Sequence, residues 1–208
     1  MKTALPPIYP ITDKALARAA THLAVLRELA RGGATWVQIR DKTTPAGELL
    51  VDLRRCVEFA ERRAITLVVD DRCDLALAAG ARGVHLGQED LPPEAGRLLL
   101  GPAAVVGYST HTLGQVRRSR ALPVDYIGFG PVFPTATKDR PGPAVGLRRL
   151  AAACVASTVP VVAIGGIGID RVAGVLASGA ASVAVISALM GSRNLAREME
   201  RFLRATGR

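Results

Sequence analysis

Apolar positions along the chain gather into eight short runs, at residues 8–12, 35–39, 65–69, 83–86, 104–107, 126–129, 160–164 and 182–186. The runs are rich in Val, Ile and Leu with little polar alternation, a pattern that predicts parallel strands covered on both faces. Helical spacing fills most of the intervals. It is clearest over residues 14–31, ending before Gly32-Gly33, over 45–63, starting after Thr43-Thr44, and over 169–178, ending before Gly179. The interval around 91–100 is shorter and carries Pro92-Pro93 near its start, where a helix tolerates proline. Eight such units can close as a barrel or lie open as a doubly wound sheet. Eight favours closure, and an open dinucleotide-binding sheet would place a glycine fingerprint after its first strand, where Asp13-Lys14 stand instead. The expected fold class is α/β, a single (β/α)8 barrel over residues 1–208.

Composition adds limits to that picture. With 208 residues, 49% hydrophobic and 22% charged, the chain can bury one sizeable core and lacks the signature of disorder. Its net charge of +9 is spread over Arg doublets at 54–55, 62–63, 117–118 and 148–149, and aromatic residues are only 4%. No nucleic-acid partner is expected, because no basic run meets a stacking platform. Residues 172–192 carry no charge, but their glycines and serines keep them only mildly apolar, and Ser178-Gly179-Ala180 reads as a helix-to-strand turn, so no membrane span is expected. Residues 1–7 lack the apolar core of a secretory signal, and Cys56, Cys73 and Cys154 are odd in number and dispersed. A cytoplasmic location fits. A homo-oligomer is left open.

In barrels the chemistry gathers where strands end and loops begin. The second run ends in Gln38-Ile39-Arg40-Asp41-Lys42. Alternate residues of an extended segment share a face, so Gln38, Arg40 and Lys42 could converge on an anion, or could be a solvated strand end with Asp41 as internal partner. The third run leads into Asp70-Asp71, and Asp90 follows the fourth; such carboxylates suit Mg2+, although one of the pair could cap the next helix. Ser109 and His111 follow the fifth run, Ser109 as a phosphate donor, His111 as acid, base or structural residue, and Thr110 or Thr112 as a helix cap. Thr135, Ala136, Thr137 and Lys138 follow the sixth run through a proline-rich turn that could clamp a phosphorylated ligand. Gly165-Gly166 after the seventh run, and Ser187 after the eighth, stand where barrels of this kind often bind phosphate.

These pieces, in order and over nearly the whole chain, resemble the thiamine phosphate synthase family. The resemblance is carried by Tyr9-Pro10-Ile11-Thr12-Asp13, Gln38 to Lys42, Asp71 to Ala76, Gly83 to Asp90, Gly128 to Lys138 and Ala163 to Ile167. It implies a transferase that joins a hydroxymethylpyrimidine pyrophosphate to a carboxylated thiazole phosphate, releasing pyrophosphate and carbon dioxide, with Mg2+ as cofactor. It also implies that Gln38, Ile39, Arg40, Asp41, Lys42, Asp70, Ser109 and Lys138 lie at the pyrimidine pyrophosphate, with Lys138, Arg40 and Ser109 acting in catalysis. Asp71 and Asp90 would hold the metal, and Thr135, Ala136, Thr137, Gly165, Gly166, Ile186 and Ser187 the thiazole phosphate. One position departs from the family: Asn usually precedes the metal-binding Asp, and Asp70 stands there. Two adjacent acids could bind a second metal or raise each other's pKa, or Asp70 could point elsewhere. Alternatives to the synthase are a thiazole tautomerase working through His111 and a non-catalytic barrel that binds thiamine precursors.

Overall fold

The computed structural model describes residues 5–135 and 142–207. Among them, eight strands form one parallel sheet: β1 (Ile8–Pro10), β2 (Trp36–Ile39), β3 (Thr66–Asp70), β4 (Gly83–Leu86), β5 (Val105–Thr110), β6 (Tyr126–Phe129), β7 (Val161–Ile164) and β8 (Ser182–Val185). From β2 to β8 each strand pairs with its sequence neighbour, and β1 pairs with β8. A parallel bridge between Ile11 and Gln38, with the Thr12 N–H donating to the Gln38 carbonyl at 2.8 Å, brings β1 to β2 and closes a (β/α)8 barrel. Its helices are α1 (His22–Arg31), α2 (Ala46–Arg62), α3 (Cys73–Ala79), α4 (Pro93–Leu100), α5 (Leu113–Arg118), α6 (Gly146–Ala156), α7 (Val172–Ala177), α8 (Ser187–Met190) and α9 (Leu195–Arg204).

The helices lie on the outside because each offers one apolar stripe. In α2 the buried residues are Leu49, Leu53, Cys56, Val57 and Ala60, and in α9 Leu195, Ala196, Met199 and Phe202, spacings of three and four that face the sheet. Leu53 is fully buried there, a site where truncation to Ala costs about 2–5 kcal/mol. The barrel interior is a second, smaller core of Tyr9, Ile11, Trp36, Val68, Tyr126, Val162 and Ala184. Tyr9, Trp36 and Tyr126 meet edge to face, with ring centroids 5.9–6.2 Å apart. This aromatic plug is the floor on which the rim residues stand.

Two elements differ from the sequence expectation. The helix expected over 14–31 begins only at His22. Arg18 takes a left-handed backbone at φ 51°, which a helix cannot continue through, and the Thr21 hydroxyl caps α1 by accepting from the Ala24 N–H. Strand β5, expected to end at 107, runs to Thr110, because Ser109 and Thr110 still pair with Gly128 and Phe129. Its last residues are polar because Ser109 borders a cavity and the buried Thr110 hydroxyl donates to the Gly128 carbonyl, and apolar spacing stops short there. The uncharged stretch 172–192 divides into α7, β8 and α8, and among the described residues no helix is long and apolar enough to cross a membrane.

Candidate functional site

The carboxyl ends of the strands open onto a cavity of about 1150 Å³. It is lined by Gln38, Arg40, Lys42, Asp70, Asp71, Asp90, Ser109 and His111 from the β2 to β5 side, and by Thr135, Gly165, Gly166, Ile186 and Ser187 from the β6 to β8 side. Ile39 and Asp41 do not line it. Ile39 points outward into the helix-facing core, as the period of two along β2 requires when Gln38 and Arg40 point in. Ala136, Thr137 and Lys138 lie outside the described residues.

Asp41 turns behind the rim and organises it. Its carboxylate accepts from the Thr43 and Thr44 N–H groups at 2.9 and 2.8 Å and from the Thr44 hydroxyl at 2.8 Å, and lies 3.0 Å from His22 Nε2 and 3.2 Å from Lys14 Nζ. Although burial works the other way, these donors together hold the Asp41 carboxyl far below the usual carboxylate range. His22 closes the arrangement with Nδ1 2.9 Å from the Thr12 hydroxyl, whose oxygen also accepts from the Arg40 N–H at 3.2 Å. Burial pushes the His22 pKa down, opposed by Asp41. The chain between Arg40 and Lys42 is thus pinned from below, and its two cations project into the cavity.

Those cations meet acids. Lys42 Nζ bonds Asp71 and lies 3.3 Å from Asp70, while Arg40 lies 3.8 Å from both Asp70 and Asp13. Asp71 sits at φ 59°, a left-handed conformation that Asp tolerates better than most residues. Neither Asp70 nor Asp71 caps α3, whose N-cap residue is Arg72 without a side-chain cap bond. Asp90 accepts from the Gly87 N–H at 2.7 Å. Among the described residues no group of three or more His, Cys, Asp or Glu forms a ready metal cage. Asp71 and Asp90 nevertheless line the same cavity as Arg40 and Lys42, and such carboxylates suit Mg2+, which commonly takes one or two protein carboxylates and completes its shell with phosphate oxygens and water.

Across the cavity the lining includes a glycine turn. Gly165 and Gly166 adopt φ +99° and +63°, and a Cβ on Gly166 would stand 2.4 Å from the Pro134 carbonyl oxygen, so no other residue fits without moving the β6 loop. Arg171 donates to the Gly166 carbonyl at 2.7 Å and lies over the Phe133 ring at 4.4 Å, bracing the same turn. His111 donates from Nδ1 to the Gly130 carbonyl at 2.7 Å, which leaves Nε2 as its acceptor nitrogen when neutral. Of the two threonines considered as caps, Thr112 is the one used, in a capping box with Gln115.

Tyr9, His85 and Tyr126, to which the sequence assigned no site role, are among the residues that border the cavity. His85 Nδ1 lies 3.0 Å from Tyr126 OH and Nε2 2.9 Å from Ser109 Oγ. Burial pushes the His85 pKa down and keeps the ring neutral near pH 7. The available signal was Gly107, on the strand between theirs, where a Cβ would stand 2.2 Å from Tyr126 Cζ and 2.5 Å from His85 Nδ1.

The family profile described as thiamine monophosphate synthase matches residues 8–189. A thiamine-phosphate synthase from Anaeromyxobacter dehalogenans is 48% identical over 173 residues, 83% of this chain and 78% of the relative. Another, from Moorella thermoacetica, is 41% identical over 195 residues, 93% of this chain and 92% of the relative. Among solved structures, the thiamine phosphate pyrophosphorylase of Pyrococcus furiosus superposes with a TM-score of 0.87 at 34% identity, covering 96% of this chain and 95% of that one.

Proposed function

Because the chain belongs to the thiamine monophosphate synthase family, we propose that its cavity joins a hydroxymethylpyrimidine pyrophosphate to a thiazole phosphate, forming thiamine phosphate and releasing pyrophosphate. The enzyme is a transferase of thiamine biosynthesis. The carrying observation is that one cavity holds side-chain cations beside acids at one end and a braced glycine turn at the other, which suits two phosphorylated ligands at once.

The reaction breaks the bond between the pyrimidine methylene carbon and the pyrophosphate oxygen, and the electron pair leaves with pyrophosphate. The thiazole nitrogen then supplies the pair for the new C–N bond; where the thiazole carries a carboxylate, carbon dioxide departs. No protein nucleophile is needed. Arg40 and Lys42, with Lys138 from the family motif, offset the charge that grows on the leaving group. Asp71 and Asp90 would hold Mg2+, which when bound supplies further stabilisation of that charge. Ser109 and Gln38 orient the pyrimidine half, and the Gly165-Gly166 turn with Ser187 holds the thiazole phosphate. The substrates are small anions, the location is cytoplasmic, and no nucleic acid takes part.

Incubation with both substrates, with and without Mg2+, tests this reading. Pyrophosphate should appear only when both substrates and the metal are present. Conversion of the thiazole carboxylate alone, without pyrophosphate release, would move the assignment to a tautomerase centred on His111.

A further inference from the structure

Five polar side chains cross the barrel interior in one continuous hydrogen-bonded series. Gln38 Nε2 donates to the Tyr9 hydroxyl at 3.2 Å, Tyr9 OH lies 2.9 Å from Tyr126 OH, Tyr126 OH lies 3.0 Å from His85 Nδ1, and His85 Nε2 lies 2.9 Å from Ser109 Oγ. The first link has a fixed sense, because an amide NH2 can only donate. With its oxygen taken by Gln38, Tyr9 directs its own proton to Tyr126. Tyr126, accepting from Tyr9, directs its proton to His85 Nδ1. A neutral imidazole that accepts at Nδ1 carries its proton on Nε2, and here that N–H meets Ser109 Oγ. The Ser109 proton comes last in the series, and it has no acceptor among the described residues.

We propose that this series is a polarity lock: it fixes Ser109 as a hydrogen-bond donor toward an acceptor atom of the pyrimidine pyrophosphate, with His85 and Tyr126 as positioning residues that act through Ser109. The proposal rests on the synthase reading of the cavity. In the opposite sense Ser109 would donate to His85 and offer only lone pairs to an anionic ligand. That sense is disfavoured because, with Gln38 donating to Tyr9, it would leave the proton of Tyr9 or of Tyr126, both buried, without an acceptor in the series. Burial also pushes the Tyr9 phenol up to about 12 and Tyr126 well above its ordinary value, so each keeps the proton the series needs. The His85 and Tyr126 rings stack at 5.5 Å, and only glycine at 107 leaves room for the link between them. The same orientation leaves the Gln38 side-chain oxygen, Oε1, as an acceptor at the far end. The lock therefore sets a donor at β5 and an acceptor at β2.

Tyr126→Phe removes one oxygen and keeps the ring. His85 Nδ1 then lacks its donor, Nε2 can accept from Ser109, and the Ser109 proton turns from the ligand. The expected result is at least a tenfold fall in kcat/KM, whereas the same substitution in a Ser109→Ala background changes it less than twofold. Tyr9→Phe, one link further away, should cost less than Tyr126→Phe. Equal losses from Tyr126→Phe with and without Ser109 would overturn the proposal, since they would report packing alone. Nitrogen-15 NMR of the ligand-free protein gives a reading independent of turnover. The His85 proton should reside on Nε2; a proton on Nδ1 would overturn the lock even in an active synthase, and it decides the matter alone if Tyr126→Phe does not fold. Failure of the synthase reading is distinct, because the unsubstituted protein would then release no pyrophosphate.

Discussion

At the ends of β2 and β3 the cavity rim is made of charge: Arg40 and Lys42 are held among Asp13, Asp70 and Asp71, and their loop is pinned from behind by Asp41 and His22. At the end of β7 the rim is made of backbone, with Gly165 and Gly166 at positive φ against Pro131, Phe133 and Pro134. Both suit phosphate oxygens, yet they should fail in different ways. A charge can be removed from a side chain while the fold stays, whereas the glycine turn cannot gain even a methyl group without moving its neighbours. The charged side should therefore govern leaving-group chemistry, and the glycine side should govern binding and loop geometry.

The largest expected effect lies on the charged side. Arg40→Ala, and likewise Lys138→Ala, should keep the fold but lower kcat about 100-fold or more, by analogy with losing a transition-state donor worth about 3 kcal/mol. Near-normal steady-state turnover in either variant would remove that residue from the leaving-group site. Next, Gly166→Ala should raise KM for the thiazole phosphate more than tenfold while leaving affinity for inorganic pyrophosphate within about threefold, because the atoms its Cβ meets belong to Phe133 and Pro134 and not to Arg40 or Lys42. Calorimetry with each ligand checks this, and parallel losses for both ligands would erase the distinction between the two sides.

Asp70→Asn gives a smaller and opposite change. Asp70 shares Lys42 with Asp71 and approaches Arg40, so its negative charge competes with an incoming pyrophosphate. Turnover equal to or a few-fold above the parent is expected, and a large loss would give the acid a role of its own. Smallest is the response to acid. His22 and His85 have lowered pKa values when folded, so once pH drops below about 6.5 the unfolded chain binds more protons and stability falls. Asp41, depressed in the fold, adds the same sign below about pH 4. A melting temperature lower by several degrees at pH 5 than at pH 7 is expected, and a flat profile from pH 7 to pH 4 would contradict it.

The apolar runs made the eight strands legible, because a parallel strand covered on both faces must be hydrophobic throughout. Residues at strand ends were legible too, since Arg40, Lys42, Asp71 and Gly166 follow directly on those runs. The partners of Asp41 were not legible, because adjacency to Arg40 does not say which face a side chain takes once His22 competes for it. The series from Gln38 to Ser109 was hidden for another reason. Its members come from β1, β2, β4, β5 and β6, and Tyr9 and Tyr126 are 117 residues apart. Strand periodicity tells which residues face inward, but only barrel closure decides which of them meet.

Two separate anion sites in one cavity are best tested by titrating the protein with inorganic pyrophosphate and with the thiazole phosphate, singly and together, in the presence of Mg2+. Each ligand should bind one per chain, and saturation with one should leave the other's stoichiometry unchanged. Mutual displacement, with only one anion bound at a time, would contradict the division of the rim into a charged site and a glycine site.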